Sequence, residues 1–322
     1  MVLRLDKAVG PTSHDVVDLV RRCLRQRKVG HAGTLDPLAS GLLLVCTGQA
    51  TKVAPMLSDL DKTYRARVRL GVATDTGDAE GAPIGEAPIP ADLEVRLREA
   101  LPHFVGEIQQ VPPMASAVKV GGQPLHRLRR AGITVEREPR TVHVRAIDLL
   151  ELEPPEVGLR VTCSKGTYIR ALAADLAEAL GTRGYLAALR RERIGPFVVD
   201  GALSSRELRG AEPARVLAAV AMELGVALGH LPAVVLEEDA AYAVRHGVPP
   251  RWRDIRALAG ELAPGGEARL EGPEGEVLAV VVAAAAITEE ALAAVRAGEA
   301  AGAGALAPLR FRRVLVGRGA GR

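Results

Sequence analysis

Residues 28–44 read KVGHAGTLDPLASGLLL, and they hold one acid, Asp36, placed where chemistry would need a single carboxylate. Glycines around it let the backbone approach a ligand closely, and Pro37 stiffens the turn. An Asp-Pro turn whose carboxylate caps a local N–H would show the same letters. Two other stretches put an aromatic beside a charge at the border of a regular element. Tyr64 stands near a strand start in DKTYRARVRLG, and Tyr168 and Arg170 stand at a helix start in SKGTYIRALAADL. Brought together with Asp36, they would supply a carboxylate nucleophile, an aromatic plate and an arginine that keeps the carboxylate ionised.

Other chemistries find no footing. The three cysteines, Cys23, Cys46 and Cys163, are widely spaced and form no CxxC pair, so neither a disulfide framework nor a zinc knuckle is indicated. TDTGDAEG resembles an acidic calcium loop, but counted from Asp75 the third position is Gly77 and the fifth carries no Asp or Asn. A turn with Asx hydrogen bonds is the better reading. GPEGE and PGGE are hairpin turns, since no GxxxxGK[ST] leads into a helix. HExxH, GxSxG and GxGxxG are missing from any suitable context, so redox, zinc-hydrolase and nucleotide-cofactor readings fall away.

These side chains need elements to hold them. GPTSHDVVDLVRRCLRQRK has a Thr12/Ser13 cap, an early Asp15 and apolar residues at helical spacing, which predicts an amphipathic helix. GLLLVCTG reads as a buried strand, QATKVAPMLSDL as a short helix and TYRARVRLGV as an alternating strand. TDTGDAEGAPIGEAPIP is expected as a loop, ADLEVRLREALPHFVG as a helix, and TVHVRAIDLLELEPPEVGLRVTCSKG as two joined strands. TYIRALAADLAEALGTRG predicts a helix stopped by glycine. Regular βαβ alternation is missing, so the expected class is α/β in the α+β sense, with a mixed, mainly antiparallel sheet. After about residue 230 dense Gly/Pro turns separate short alternating runs, which fits a small β-barrel. The Ala/Gly-rich stretch near residues 283–307 reads as a helical insertion or an excursion from that barrel.

Composition bounds the partners. With 322 residues, 48% hydrophobic and 25% charged, the chain suits about two packed domains. Net charge is only +3, yet the basic residues cluster. RRCLRQRK (21–28) contains no acid, residues 112–145 hold seven Lys/Arg against two acids, and the tail RFRRVLVGRGAGR is purely basic. Such patches suit a polyanion, although Arg21 to Lys28 also suit the C-terminal end of a helix dipole. MVLRLDKAVGPTSHD has no apolar core of a signal peptide, and VLAVVVAAAAI is too short to span a bilayer. A cytoplasmic protein without a membrane partner is the expectation.

Five motifs then stand in order: LDKAVGPTSHDVV, KVGHAGTLDPLASGLLLVCTGQATK, DKTYRARVRLGVATDTGDAEG, SKGTYIRALAADL and LRRERIGPF. Over residues 3–200 the chain resembles the TruB-type tRNA pseudouridine synthases, which isomerise uridine-55 in the T-loop of tRNA. The C-terminal part is similar, more loosely, to the PUA-like RNA-binding domain of bacterial members. The resemblance implies a catalytic domain over 1–230, with an RNA-gripping insertion at about 112–141, and a PUA-like domain over 231–322. It implies Asp36 as nucleophile, Arg170 paired with it, and Tyr64 stacked on the uracil and close enough to assist proton removal at C5. Tyr168 and Leu189 would line the base pocket, and His31 would contact the RNA where the flipped nucleotide left the stack.

Lys119, Arg127, Arg129 and Arg130 would hold RNA phosphates in the insertion. The tail residues Arg310, Arg312 and Arg313 would reach toward the acceptor stem. Ala115 and His126 depart from the pattern, which has tyrosines there. The reaction such a family performs needs no cofactor and no metal, and it implies tRNA as partner of a stand-alone monomer. Rival readings are an RNA-folding factor without catalysis, a relative acting on another RNA, and a hydrolase using Asp36. The last lacks any acid/base partner in the sequence.

Overall fold

Ala39–Thr47 shows why this chain folds around a buried strand. Leu42, Leu44 and Cys46 pack into one apolar cluster, with Ala50, Val53, Leu57 and Ile194. Leu43 and Val45 pack into another, with Leu3, Leu5, Val16, Val17 and Val20. A strand buried on both faces needs a continuous apolar run, as LLLVC supplies. The computed structural model describes residues 1–114, 116, 118–133, 135–210, 212–297 and 304–315.

Around this strand runs an 11-stranded mixed sheet. From Leu203–Ser204 at one edge its order continues through Val2–Lys7, Ala39–Thr47, Gly184–Ile194, Lys62–Leu70, Glu156–Cys163 and Arg140–Glu153 to Gly106–Gln110. Most neighbours are antiparallel, whereas Gly184–Ile194 pairs in parallel with Ala39–Thr47, matching Leu189 to Ala39 and Arg191 to Gly41. Gly41 adopts φ +106°, and a Cβ there would stand 2.2 Å from the Arg191 carbonyl oxygen. Only glycine permits that approach. Lys62–Leu70 alternates as expected: Tyr64, Ala66 and Val68 point into the core while Arg65, Arg67 and Arg69 face outward.

The helix Ser13–Leu24 starts with a capping box between Thr12 and Asp15, and ends at Arg25 in the left-handed conformation. Thr12 alone is the cap; Ser13 is buried and bonds elsewhere. Ile169–Ala179 stops before Gly181, at φ +79°, as the glycine signal implies. The loop expected at TDTGDAEGAPIGEAPIP carries the second strand of a small hairpin, Pro83–Glu86, which pairs with Val72–Thr74 where the loop begins. Short strands of this kind lack an alternating apolar pattern, so periodicity does not reveal them.

A second sheet of five strands spans Ala233–Leu236 to Leu309–Val314, mixed and mainly antiparallel. Val277, Val280 and Leu315 pack into the cluster that holds Val2 and Leu42, so apolar side chains join the two sheets. Within the Ala/Gly-rich stretch Glu289–Arg296 is a helix capped by Thr288, and residues 298–303 lie outside the described residues. Among the described residues no helix is long and apolar enough to cross a membrane.

Candidate active site

Four neighbouring strands bring the chemistry together. Asp36 stands three residues before Ala39–Thr47, Leu189 lies on the adjoining Gly184–Ile194, and Tyr64 on Lys62–Leu70 beyond it. Next comes Glu156–Cys163, followed by the helix Ile169–Ala179 that carries Arg170 in its first turn. Asp36, Tyr64, Tyr168, Arg170, Leu189 and His31 all line one cavity of about 1020 Å³. Arg170 Nη2 stands 2.9 Å from Asp36 Oδ2; the arginine side chain is 5% exposed and the aspartate 38%. A buried cation thus holds a carboxylate that still faces the cavity.

Arg170 also has a partner that was not singled out from the sequence. Its Nη1 lies 3.5 Å from Asp78 Oδ2 and donates to the Thr76 carbonyl at 3.2 Å. Asp78 is 5% exposed at its side chain, and it is fixed by Asx-type bonds, accepting from Thr76 Oγ1 and from Glu80 N–H. The Asx-turn reading of TDTGDAEG therefore holds, and the turn has a purpose: it presents Asp78 to Arg170. The signal available in sequence was an acid inside a turn already read as closed on itself.

Three more polar side chains grip the Asp36 loop through its backbone. Ser13 Oγ accepts from Leu35 N–H at 2.7 Å and donates to the Leu35 carbonyl at 3.1 Å. Arg191, 1% exposed, donates to the carbonyls of Gly33, Thr34 and Leu42. Lys7, wholly buried, donates to Pro11 and Ala8 carbonyls at 2.8 and 3.0 Å and reaches that of Pro37 at 3.5 Å. Buried donors are kept only where acceptors meet them, and Ser13, Arg191 and Lys7 all donate to backbone carbonyls. The loop is therefore set before any ligand arrives, which suits a nucleophile that must be aimed.

Burial shifts the surrounding groups. It raises the Tyr64 phenol above its ordinary value, against the pull of Arg191, so the ring stays neutral. It lowers His31, with Arg191 and His14 acting in the same direction, which leaves a neutral imidazole near pH 7. Lys7 and Lys62 are each brought down to about 8 by burial, Asp36 opposing the effect at Lys7. Buried Cys46 is pushed up to about 12 and Cys163 to about 11.

A stability profile follows. From about pH 8 to the ordinary lysine value of 10.5, the unfolded chain binds more protons than the folded one at Lys7 and Lys62, so stability rises with pH. The thiols act oppositely, because unfolded cysteine ionises from 9.0 while the folded thiols stay protonated. Denaturant midpoints should therefore climb from about pH 7.5 to about 9 and then level or fall, with Lys62→Met flattening the climb. A steady fall across that whole interval would contradict these assignments.

The expected RNA-gripping residues divide. Arg127 is exposed, while Arg129 Nη2 pairs with Asp75 Oδ2 at 2.8 Å and lines the cavity, joining the insertion to the turn that bears Asp78. Ala115 and the side chains of Lys119, His126 and Arg130 lie outside the described residues. In the tail Arg310 and Arg313 are exposed, but Arg312 is committed to Asp59 and Glu267.

Comparison with known proteins identifies the family and the fold. Residues 21–169 match the TruB family pseudouridylate synthase N-terminal domain. The tRNA pseudouridine synthase B of Aromatoleum aromaticum is 46% identical over 277 residues, covering 86% of each chain. That of Dechloromonas aromatica is 46% identical over 271 residues, covering 84% of this chain and 89% of its own. Among solved structures, a Cbf5-Nop10-Gar1 complex superposes with a TM-score of 0.72 at 30% identity, covering 98% of this chain and 85% of that one.

Proposed function

The chain belongs to the TruB family of pseudouridylate synthases, and from that membership we propose that it converts uridine-55 in the T-loop of tRNA to pseudouridine with Asp36 as nucleophile. One observation carries the reading: the Asp36 carboxylate, held at 2.9 Å by a buried arginine and itself 38% exposed, faces a large cavity whose wall includes Tyr64, Tyr168 and Leu189. The reaction breaks the N1–C1′ bond, turns the uracil and joins C5 to C1′. The C5 proton leaves and N1 gains one, so nothing is oxidised or reduced. One nucleophile beside an aromatic plate in a cleft covers these needs.

In this reading the uridine is flipped out of the T-loop, at a cost of about a few kcal/mol that RNA contacts offset. Tyr64 stacks on the uracil, Tyr168 and Leu189 enclose it, and His31, neutral, meets the RNA at the cavity rim. Lys119, Arg127, Arg129 and Arg130 take phosphates of the T-arm, Arg129 leaving Asp75 to do so. Residues 1–230, with the arm at about 112–141, form the catalytic domain. Residues 231–322 form a PUA-like domain directed at the acceptor stem, a division supported by the second sheet starting at Ala233. The enzyme works in the cytoplasm as a monomer and needs no cofactor or protein partner.

Incubation of the protein with a T-arm stem-loop, followed by nucleoside analysis, is expected to show pseudouridine at position 55 and at no other uridine. Tight binding of the stem-loop without any pseudouridine would sink the reading and favour an RNA-binding protein instead.

A further inference from the structure

Gln110 ends the strand Gly106–Gln110 at the root of the arm, and its register partner Arg140 begins the strand by which the chain returns. Gln110 is 2% exposed. Its Oε1 accepts from Tyr168 N–H at 2.7 Å and its Nε2 donates to the Tyr168 carbonyl at 3.0 Å. An amide side chain bonded to one residue's backbone in both directions admits a single orientation. Tyr168 is also the N-cap of Ile169–Ala179, and its own side chain makes no capping bond. The start of that helix is therefore held by Gln110. Two residues on, Arg170 holds Asp36. Arg140, Thr141 and Val142 from the returning leg line the same cavity as Tyr168 and Arg170.

We propose that Gln110 is a positioning residue that ties the seating of the 112–141 arm on RNA to the placement of Tyr168 and Arg170. A movement of the arm's two legs carries the Gln110 side chain with it, and through the paired amide it moves the helix start. RNA contacts far from the uracil thereby act on the chemical step and not on affinity alone. The inference rests on the isomerase reading above.

Single-turnover rates at saturating stem-loop test it, with active sites counted by RNA titration so that misfolded protein is not scored. Gln110→Met is expected to slow the saturated step about 10- to 100-fold, since small misplacements of reacting groups cost this much, while the RNA Kd stays within about twofold. Gln110→Glu, which keeps the acceptor but sets a carboxylate oxygen against the Tyr168 carbonyl, should slow the step at least as much, and serves alone if Gln110→Met fails to fold. Gln109→Met is the control: Gln109 is the preceding residue of the strand and bonds the Thr141 hydroxyl at an exposed site.

A double-mutant cycle with Arg127→Ala then tests the coupling. Arg127→Ala should slow the saturated step in the wild-type background and add nothing in Gln110→Met. A Gln110→Met rate equal to wild type, or two effects that simply multiply, overturns the inference. A wild type that forms no pseudouridine overturns the isomerase reading and this inference with it.

Discussion

Asp36→Asn is expected to end pseudouridine formation, lowering the single-turnover rate by about 10⁴-fold or more, as loss of a member of a catalytic unit does elsewhere, while RNA still binds. Asparagine has nearly the same shape and can accept a hydrogen bond from Arg170, so the loop should keep its place. That loop is fixed by Ser13, Lys7 and Arg191 through backbone atoms of its other residues. What the change removes is the negative charge and the electron pair of a carboxylate. In the proposed reading binding relies on the arm and the cavity walls, so the Kd of the stem-loop should change little. Conversion by the variant at even a tenth of the wild-type rate would remove Asp36 from the role of nucleophile.

Arg170→Lys should also be damaging, with the rate falling about 10²-fold or more, because the guanidinium fork cannot be replaced by a point charge. The arginine spans Asp36 at 2.9 Å, Asp78 at 3.5 Å and the Thr76 carbonyl at 3.2 Å, from a site 5% exposed. One ammonium on a shorter head group cannot meet all three. Arg170→Met should destabilise the fold as well, by about 3–5 kcal/mol, since it strands the buried Asp78 carboxylate. Denaturant midpoints read that loss, and Asp78→Asn in the same background should restore part of it. A lysine variant within threefold of the wild-type rate would reduce Arg170 to a structural ion pair.

The family, and most of the residues that the fold gathers into one cavity, were legible in the sequence. Asp36 stood in a loop whose glycines and proline announce a backbone made for close approach, and Tyr64, Tyr168 and Arg170 stood at element borders. The two-faced burial of LLLVC, the alternation of Tyr64 with Arg65 and Arg67, and the Thr12 cap gave the sheet and the first helix by local rules. Such features lie within a turn or a strand, where side-chain period and backbone geometry leave their mark on neighbouring letters.

Only the tertiary structure decided which polar groups hold the site. Lys7, Ser13, Arg191 and Gln110 act on backbone atoms of residues far along the chain, and a carbonyl or N–H looks the same under any side chain. Register chose between Arg190 and Arg191, adjacent letters of one strand: Arg191 turns inward to the loop carbonyls while Arg190 bonds Asp6 at its half-buried edge. Asp78 reached Arg170 because it lies in the turn that joins the two strands of a small hairpin, Val72–Thr74 and Pro83–Glu86, and that turn meets the helix start. Pairing of this kind is set when strands dock and one face is buried, so it belongs to the packed sheet and to no single segment of the sequence.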